Sequence, residues 1–264
     1  MTLAGGAPLV ERGESLEAAL RRMLGSRCRC AVVEEDGRPI GILSMMQLVR
    51  RLALEWLLSG TPPHESLRRL HVADIRLHAP IVFDEKPEPI RALIEMLTHG
   101  LNFVIVGRYT VYTVLDALMD SLQYLRGEIV SDVVATQKWW SALPSTSVRD
   151  AFLQVSMLPT WRLVLVDRYG GVQGIFSATD FLRAVLSGDV SYDEPASKIA
   201  TRTPRTVDVE ESLATTVRIM AEYDIHIMPV VRGVEGFIGV VHAYDIARLV
   251  AINILMRGRG GMGG

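Results

Sequence analysis

The sequence predicts an α+β fold built from four copies of one β-α-β-β-α unit. Four stretches share the same order: a β-branched run of strand length, a turn, a second strand, and a helix with apolar residues at helical spacing. The position ahead of the second strand recurs at intervals of about 65 to 70 residues, at Gly41, Thr110, Gly174 and Gly239. A fixed period of this length is typical of a repeat protein, and four such units account for the chain.

Each copy also contains an upstream helix whose apolar residues recur at three and four, as packing on a sheet requires. These helices are predicted at 15–24, 88–97, 147–158 and 212–223. A short helical turn and a crossing strand precede the helix in copies two to four, whereas copy one is cut short and is expected to lack a full crossing strand. The hairpin turn of copy two, Gly107–Tyr109, is shorter than the others.

The expected domain organisation follows the copies: copy one at 1–59, copy two at 66–125, copy three at 126–188, copy four at 193–254, and a disordered tail at 255–264. The tail is rich in glycine and resembles RGG-type RNA-binding segments, but its two arginines supply little phosphate affinity. We therefore expect a disordered terminus.

Composition excludes several classes of function. The formal net charge of −2 offers no global attraction for nucleic acid or an anionic membrane, and no apolar run approaches the roughly 20 residues that span a bilayer. The first residues lack the charged-then-apolar order of a signal peptide, so a cytoplasmic location is expected. The two cysteines, Cys28 and Cys30, alternate on a predicted strand and are interpreted as core side chains rather than as a metal or redox pair. The sequence contains no GxSxG, HExxH or P-loop motif, which predicts a protein that is not an enzyme and has no catalytic cofactor.

The junctions between the second strand and its helix carry the candidate chemistry. They read Ser44-Met-Met-Gln47, Thr113-Val-Leu-Asp116, Ser177-Ala-Thr-Asp180 and His242-Ala-Tyr-Asp245. A hydroxyl followed three residues later by a polar side chain is the pattern of a capping box. The same geometry also suits a nucleotide, because a helix N-terminus favours phosphate and a carboxylate can accept from both hydroxyls of a ribose.

The repeated order resembles the CBS domain, named after cystathionine β-synthase. The resemblance covers about residues 5–252, and "ASKIATRTPRTVDVEESLATTVRIMAEYDIHIMPVVRGVEGFIGVVHAYDIARLV" is its clearest copy. Copies three and four match well, copy one fairly, and copy two only in outline. The resemblance implies that the motifs pair into two Bateman modules, which stack into a disc as in the γ-subunit family of AMP-activated protein kinase.

The resemblance also assigns roles to residues of this chain. Nucleotide-binding CBS motifs are similar to G-h-x-[S/T]-x-x-D at the junction, with the hydroxyl near phosphate and the Asp on the ribose. The implied ribose-binding residues are Asp180, Asp245 and Asp116, and the implied phosphate-binding residues at the junctions are Ser177, His242 and Thr113. Copy one departs from the motif because Gln47 replaces the Asp, so its site is expected to be empty or weak.

A second set of positions stands just before the first hairpin strand of each copy, at Arg29, Asn102, Arg162 and His226. By resemblance to the kinase γ subunits, Arg162, His226 and Arg29 point at phosphates in the centre of the disc. The alternative is that they are solvated strand ends, the commoner fate of a lone arginine.

The implied base-binding residues lie between the crossing strand and the first hairpin strand. In copy four these are Thr206, Val207, Ile227 and Met228; in copy three Trp140, beside Trp139, could stack on adenine. Core or interface packing is the alternative for the tryptophans.

These residues predict a non-catalytic regulatory protein that binds AMP, ADP or ATP between paired motifs. Its expected partners are an adenine nucleotide, an effector protein that the sequence does not identify, and, as an optional assembly, a second copy of the chain. Two alternatives stay open: a sensor of S-adenosylmethionine or another adenosyl ligand, and a ligand-free scaffold or nucleic-acid-binding protein whose junctions are caps only.

Overall fold

The computed structural model describes residues 6–26, 29–136, 140–158 and 161–260, with the backbone alone at 257–260. Copy one contains β1 (Leu9–Glu11), α1 (Leu16–Gly25), β2 (Cys30–Glu35), β3 (Arg38–Ser44), α2 (Met45–Ser59) and α3 (Pro63–Arg69). Copy two contains β4 (Val82–Phe83), α4 (Pro89–His99), β5 (Phe103–Val106), β6 (Thr110–Thr113) and α5 (Val114–Asp120). Copy three contains β7 (Ser141–Ala142), α6 (Val148–Met157), β8 (Arg162–Val166), β9 (Val172–Ser177) and α7 (Ala178–Ser187). Copy four contains β10 (Thr201–Arg202), β11 (Val207–Asp208), α8 (Leu213–Glu222), β12 (Ile227–Arg232), β13 (Gly236–His242) and α9 (Ala243–Gly260).

The predicted α+β unit is confirmed in all four copies. In each, the crossing strand pairs parallel with the first strand of an antiparallel hairpin, which gives the orders β1-β2-β3, β4-β5-β6, β7-β8-β9 and β11-β12-β13. Short 3-10 turns precede the crossing strands of copies two to four, at Val72–Asp74, Val130–Asp132 and Ala196–Lys198. A hydroxyl side chain caps the upstream helix of copies one, three and four, because Ser15, Ser147 and Ser212 each accept from an early helix amide.

Two expectations about the ends of the chain need correction. Copy one does have a crossing strand, since β1 pairs with β2 from Leu9 opposite Val32 to Glu11 opposite Glu34. Helix α9 continues to Gly260, which corrects the predicted start of the tail at residue 255; residues 261–264 lie outside the described part of the chain. None of the helices in the described ranges combines the length and the hydropathy that a bilayer crossing requires.

The copies pair through backbone contact between their sheets. Strand β10, in the crossing segment of copy four, pairs with β9 in the sheet of copy three. In the opposite direction, Ala135 in the crossing segment of copy three forms a β-bridge with Val240 in the sheet of copy four. Two of the repeated glycines explain how the backbones of the paired copies approach so closely. A Cβ atom at Gly239 would lie 2.4 Å from the carbonyl oxygen of Ala135, and one at Gly174 would lie 3.0 Å from that of Thr201. At these two positions glycine therefore allows the close pairing of copies three and four within their module.

Copies one and two form the other module in the same way. Ile42 of copy one is bridged to His78 in the crossing segment of copy two, and Ala7 N–H donates to the carbonyl oxygen of Tyr109 at 3.0 Å. Buried side chains from both sheets, including Cys30, Ile42 and Phe103, fill the space between them. Cys30 is thus a core residue of this contact, and Cys28 lies outside the described residues.

The helices join the two modules. Helices of copies one and three share one core, in which Trp56, Phe152 and Phe181 pack together. The rings of Phe152 and Phe181 are stacked, with their centroids 3.9 Å apart. Helices of copies two and four share a second core, which contains Met96 of α4 and Ala247 of α9. Each copy therefore contacts one partner through its sheet and another through its helices. This arrangement brings the starts of all four hairpins close together.

Candidate ligand-binding site

The four residues that precede the hairpins line one central cavity of about 90 Å³: Arg29, Asn102, Arg162 and His226. The cavity walls also include the junction side chains of three copies, Ser44, Ser177 and His242. The convergence follows from the pairing of sheets and helices, because each hairpin begins on the side of its sheet that faces the centre. Positions that are far apart in sequence thus form a single site.

His226 offers an unpaired hydrogen-bond donor to this cavity. Its Nδ1 lies 3.4 Å from Nη1 of Arg29, and a guanidinium has donors only, so Nδ1 accepts and the proton resides on Nε2. Only 6% of the residue is exposed, and Nε2 has no hydrogen-bond partner among the residues that the structure describes. A buried donor without an acceptor costs free energy, and a bound acceptor would recover it.

His242 is in the same tautomer as His226. Its Nδ1 accepts from the backbone N–H of Tyr244 at 3.0 Å, which caps the helix and leaves the proton on Nε2. Burial lowers the pKa of His242 to about 3, and burial followed by the charges of Arg29 and Arg162 holds the pKa of His226 well below its usual range. Both imidazoles are therefore neutral donors at pH 7.

The positive charge in the centre comes from two arginines. Burial, together with the charge of Arg29, lowers the pKa of Arg162 to about 9, which leaves the guanidinium protonated at neutral pH. Burial likewise lowers the pKa of Arg29, and the charge of Asp224 acts in the opposite direction. Among the described residues that line the central cavity there is no carboxylate. A site with two cations and several N–H and O–H donors suits an anion.

A larger cleft of about 570 Å³ shares Arg29, Met45, Arg162, Ser177 and Thr179 with the central cavity. Its other walls come from three copies, and include Asp180 and Ile175 of copy three, Thr201, Thr203, Pro204, Arg205 and Ile227 of copy four, and Met23 and Leu24 of copy one. The cleft therefore has a carboxylate, apolar walls and a cationic end. This size and mixture are typical of small-molecule sites.

Strained backbone concentrates at the same place. Four described residues other than glycine have a positive φ, and three of them line the cleft or the cavity: Trp161 at 58°, Thr203 at 47° and Asp224 at 50°. The fourth, Asp36, lies in a hairpin turn. Such conformations cost free energy and cluster at ligand sites. The indole N–H of Trp161 is also buried and finds no acceptor within the described part of the chain.

The junctions differ in how far their polar side chains are already engaged. In copy three, Ser177 Oγ accepts from Asp180 N–H at 3.1 Å and donates to Asp180 Oδ2 at 2.6 Å. In copy two the capping box is complete, since Asp116 Oδ2 accepts from both the backbone N–H and the hydroxyl of Thr113 at 2.8 Å. The Asp180 carboxylate thus accepts one hydrogen bond from its cap where that of Asp116 accepts two, and its Oδ1 lies 4.0 Å from Nη1 of Arg183.

In copy one, both polar atoms of the Gln47 side chain already form hydrogen bonds. Gln47 Oε1 accepts from Ser44 N–H at 2.7 Å, and Gln47 Nε2 donates to the carbonyl oxygen of Arg76 in the crossing segment of copy two. The side chain therefore ties the helix cap to the segment that would form the wall of a nucleotide cleft. No acceptor equivalent to the Asp180 carboxylate is available there.

The remaining candidates from the sequence lie away from these two cavities. Asp245 is partly buried, pairs with Arg248 at 2.9 Å, and has a pKa raised by burial. Trp140 is buried in the core shared by copies one and three and precedes β7, rather than lying within it, while Trp139 is outside the described residues.

Of the base candidates, Ile227 lines the cleft. Val207 and Met228 instead point into the core shared by copies two and four, and Thr206 is exposed beside the cleft wall without lining it. Alternation along a strand explains the split, because neighbouring residues face opposite sides of the sheet.

Sequence reasoning missed Asp224, Tyr223 and Thr203 as lining residues of the cleft. Arg205, which also lines it, lies over the ring of Tyr223, 3.4 Å from the ring centroid. Asp224 stands two residues before His226. This nearness to the repeated His or Arg position was the one feature of the sequence that indicated a place near the site.

Comparisons with known proteins fit this architecture. The sequence pattern of the CBS domain matches residues 7–54, 130–187 and 196–252, so the chain belongs to the CBS domain family. A protein of Methanocaldococcus jannaschii, described as a proposed archaeal homologue of g-AMPK, has a similar fold. The two share a TM-score of 0.74 and 19% identity over 93% of this chain and 97% of the other.

Two further proteins are similar. An uncharacterised conserved protein of Pyrococcus horikoshii gives a TM-score of 0.59 at 19% identity over 94% of this chain and 98% of the other. Among curated relatives, an uncharacterised protein of Methanocaldococcus jannaschii is 33% identical over 103 residues, which are 34% of this chain. The matched region spans only 24% of the length of that relative.

Proposed function

We propose that this chain is a non-catalytic regulatory protein that binds an adenine nucleotide, AMP, ADP or ATP, in the cleft between copies three and four. One observation carries the proposal: the carboxylate of Asp180 and the guanidinium groups of Arg29 and Arg162 line the same cleft, whose cationic end opens on the central cavity. A nucleotide presents a ribose diol and phosphates in the same order.

In the proposed arrangement the ribose hydroxyls donate to Asp180, which retains free acceptor capacity. The phosphates lie toward Ser177, Arg162 and the unpaired Nε2 of His226, in the centre. The base lies against Ile227 and the crossing segment of copy four. Backbone groups of that segment would supply its polar contacts.

The copies are expected to bind with different strength. Copy four keeps Asp245 and His242, whereas copy two keeps Thr113 and Asp116 but has Thr110 in place of the glycine. The expected order of occupancy is therefore copies three and four, then copy two, then copy one. The closure of copy one by Gln47 supports its place at the end of this order.

Regulation requires that the ligand bind two conformations of the protein with different affinity. The cleft takes walls from both modules, since Met23, Leu24 and Arg29 of copy one face Asp180 of copy three. A ligand that bridges them favours one relative position of the modules. An effector protein that contacts both modules would detect this change.

The charge of the cleft distinguishes between the candidate adenosyl ligands. Four arginines line the cleft, Arg29, Arg162, Arg183 and Arg205, against the carboxylates of Asp180 and Asp224. This balance favours anionic phosphates over the cationic sulfonium of S-adenosylmethionine.

Thermal unfolding with AMP, ADP, ATP and S-adenosylmethionine, and with GMP as a control for the base, tests the proposal. A nucleotide at about 100 times its Kd should stabilise the protein by about 2.7 kcal/mol, which raises Tm by roughly 5–10 °C for a chain of this size. An unchanged Tm with every adenine nucleotide would contradict the proposal. A shift with S-adenosylmethionine alone would assign the site to the alternative ligand.

A further inference from the structure

Arg29, the arginine that copy one contributes to the cleft, is already bound to copy four. Its Nη2 donates to the backbone carbonyl oxygen of Asp224 at 3.1 Å and lies 3.8 Å from the carboxylate oxygen Oδ2. Its Nη1 faces His226 at 3.4 Å. The guanidinium that a bound phosphate needs is therefore held by a carboxylate from the opposite module.

Asp224 itself lines the cleft, where the other described carboxylate is Asp180. Asp180 has an evident use as an acceptor for ligand hydroxyls, whereas a second carboxylate beside the cationic end opposes an anionic ligand. The backbone of Asp224 lies in the left-handed region, with φ at 50°. Asn is one of the few residues that tolerate this conformation, so Asp could be replaced by Asn without strain.

We propose that Asp224 is an internal competitor for Arg29: its carboxylate occupies the guanidinium in the ligand-free protein and yields it to the phosphate of a bound ligand. This inference rests on the proposed function for the identity of the ligand, but the competition itself concerns any phosphate anion at the centre. Asp224 is then a regulatory residue of the cleft. Its carboxylate lowers the affinity for the phosphate ligand, and ligand binding includes the release of the contact between copies one and four.

The expected effect is modest because the pair is partly exposed, with 29% of the Arg29 side chain and 50% of the Asp224 side chain accessible. Exposed ion pairs of this kind change affinity by about two- to fivefold. Asp224→Asn should therefore tighten the binding of AMP by about that factor. The substitution removes the carboxylate and keeps the backbone carbonyl that Arg29 also contacts.

Calorimetric titration of the full chain with AMP, and separately with inorganic pyrophosphate, tests the inference in four proteins: wild type, Asp224→Asn, Arg29→Gln and the double variant. Asp36→Asn is the control, since Asp36 has the same charge and a φ of 53° but lies in a hairpin turn away from the cleft. If Asp224 competes for Arg29, its replacement tightens binding in wild type and has little effect in the Arg29→Gln background.

The outcomes separate the two proposals. If pyrophosphate binds more tightly to Asp224→Asn while AMP binds no variant, the competition stands and the nucleotide function is wrong. If Asp224→Asn leaves both affinities unchanged, or if its effect is equally large without the guanidinium of Arg29, the competition is overturned even if AMP binds well. If neither probe binds any variant, both proposals fail.

Discussion

The Asp180→Ala variant tests the role of the cleft carboxylate most selectively. In the structure, the cap of α7 is the bond from Asp180 N–H to Ser177 Oγ at 3.1 Å, which involves the backbone of residue 180 and survives the substitution. The side chain contributes one bond to the Ser177 hydroxyl and a favourable charge at the helix N-terminus. The loss of folding stability should therefore stay below about 1 kcal/mol.

Ligand affinity should fall much further. A ribose diol that donates to a carboxylate makes charge-assisted hydrogen bonds worth about 1.5–3 kcal/mol, so Asp180→Ala should weaken nucleotide binding by roughly 10- to 150-fold. Calorimetric titration gives the affinity and urea unfolding gives the stability of the same preparation.

The chain contains a matched control for this experiment. Asp150 follows Ser147 at the same spacing, and its N–H donates to Ser147 Oγ at 3.0 Å at the start of α6, but Asp150 is exposed and does not line the cleft. Asp150→Ala should reproduce the small loss of stability and leave the affinity unchanged. Equal affinities for Asp180→Ala and wild type, with a loss of stability like that of Asp150→Ala, would refute the assignment and return Asp180 to a helix-terminal role.

Three further outcomes are expected. Because His242 stays neutral in the folded protein while histidines of the unfolded chain take up protons near pH 6.5, lowering the pH from 7 to 5 should reduce the free energy of unfolding by about 2 kcal/mol. The lowered pKa of His226 acts in the same direction, and an unchanged urea midpoint at pH 5 contradicts both. Gly239→Ala should destabilise the protein by about 1–3 kcal/mol in thermal unfolding, because the new Cβ would lie 2.4 Å from a carbonyl oxygen of copy three, whereas Gly13→Ala, where no atom lies within 4 Å, should have little effect. Gln47→Ala should cost about 1–2 kcal/mol of stability through the lost link between copies one and two, with AMP affinity unchanged, and a weakened affinity would place a nucleotide in copy one.

The period of the sequence predicted the unit of the fold because local signals define it. Hairpin turns, β-branched runs and helical spacing lie within one copy, and a hydroxyl caps several of the helices in the structure, as at Ser147 and Ser177. The position of a crossing strand depends on tertiary pairing instead. β1 forms in copy one from a short segment because β2 offers it a parallel partner.

The pairing of helices between modules could not be read from the sequence. All four copies have apolar helix faces of similar character, so periodicity does not say that α2 packs on α6 or that α4 packs on α9. The shared cores also link 1–125 to 126–264.

The candidate site was predictable where a residue repeats. Arg29, Asn102, Arg162 and His226 occupy one position of the repeat, and symmetry brings them to one cavity. Asp224 has no such counterpart among the predicted positions. Its contact with Arg29 joins different copies, so the pairing of these two residues could not be predicted from local patterns.

The most direct test of the proposed function is the crystal structure of the full chain with AMP. The account predicts nucleotide density in the cleft of copies three and four, with both ribose hydroxyls on Asp180 and the phosphate beside Arg162 and His226. It also predicts that Arg29 turns from Asp224 toward the phosphate. Density for AMP elsewhere, or a saturated crystal with nothing beside Asp180, would contradict it.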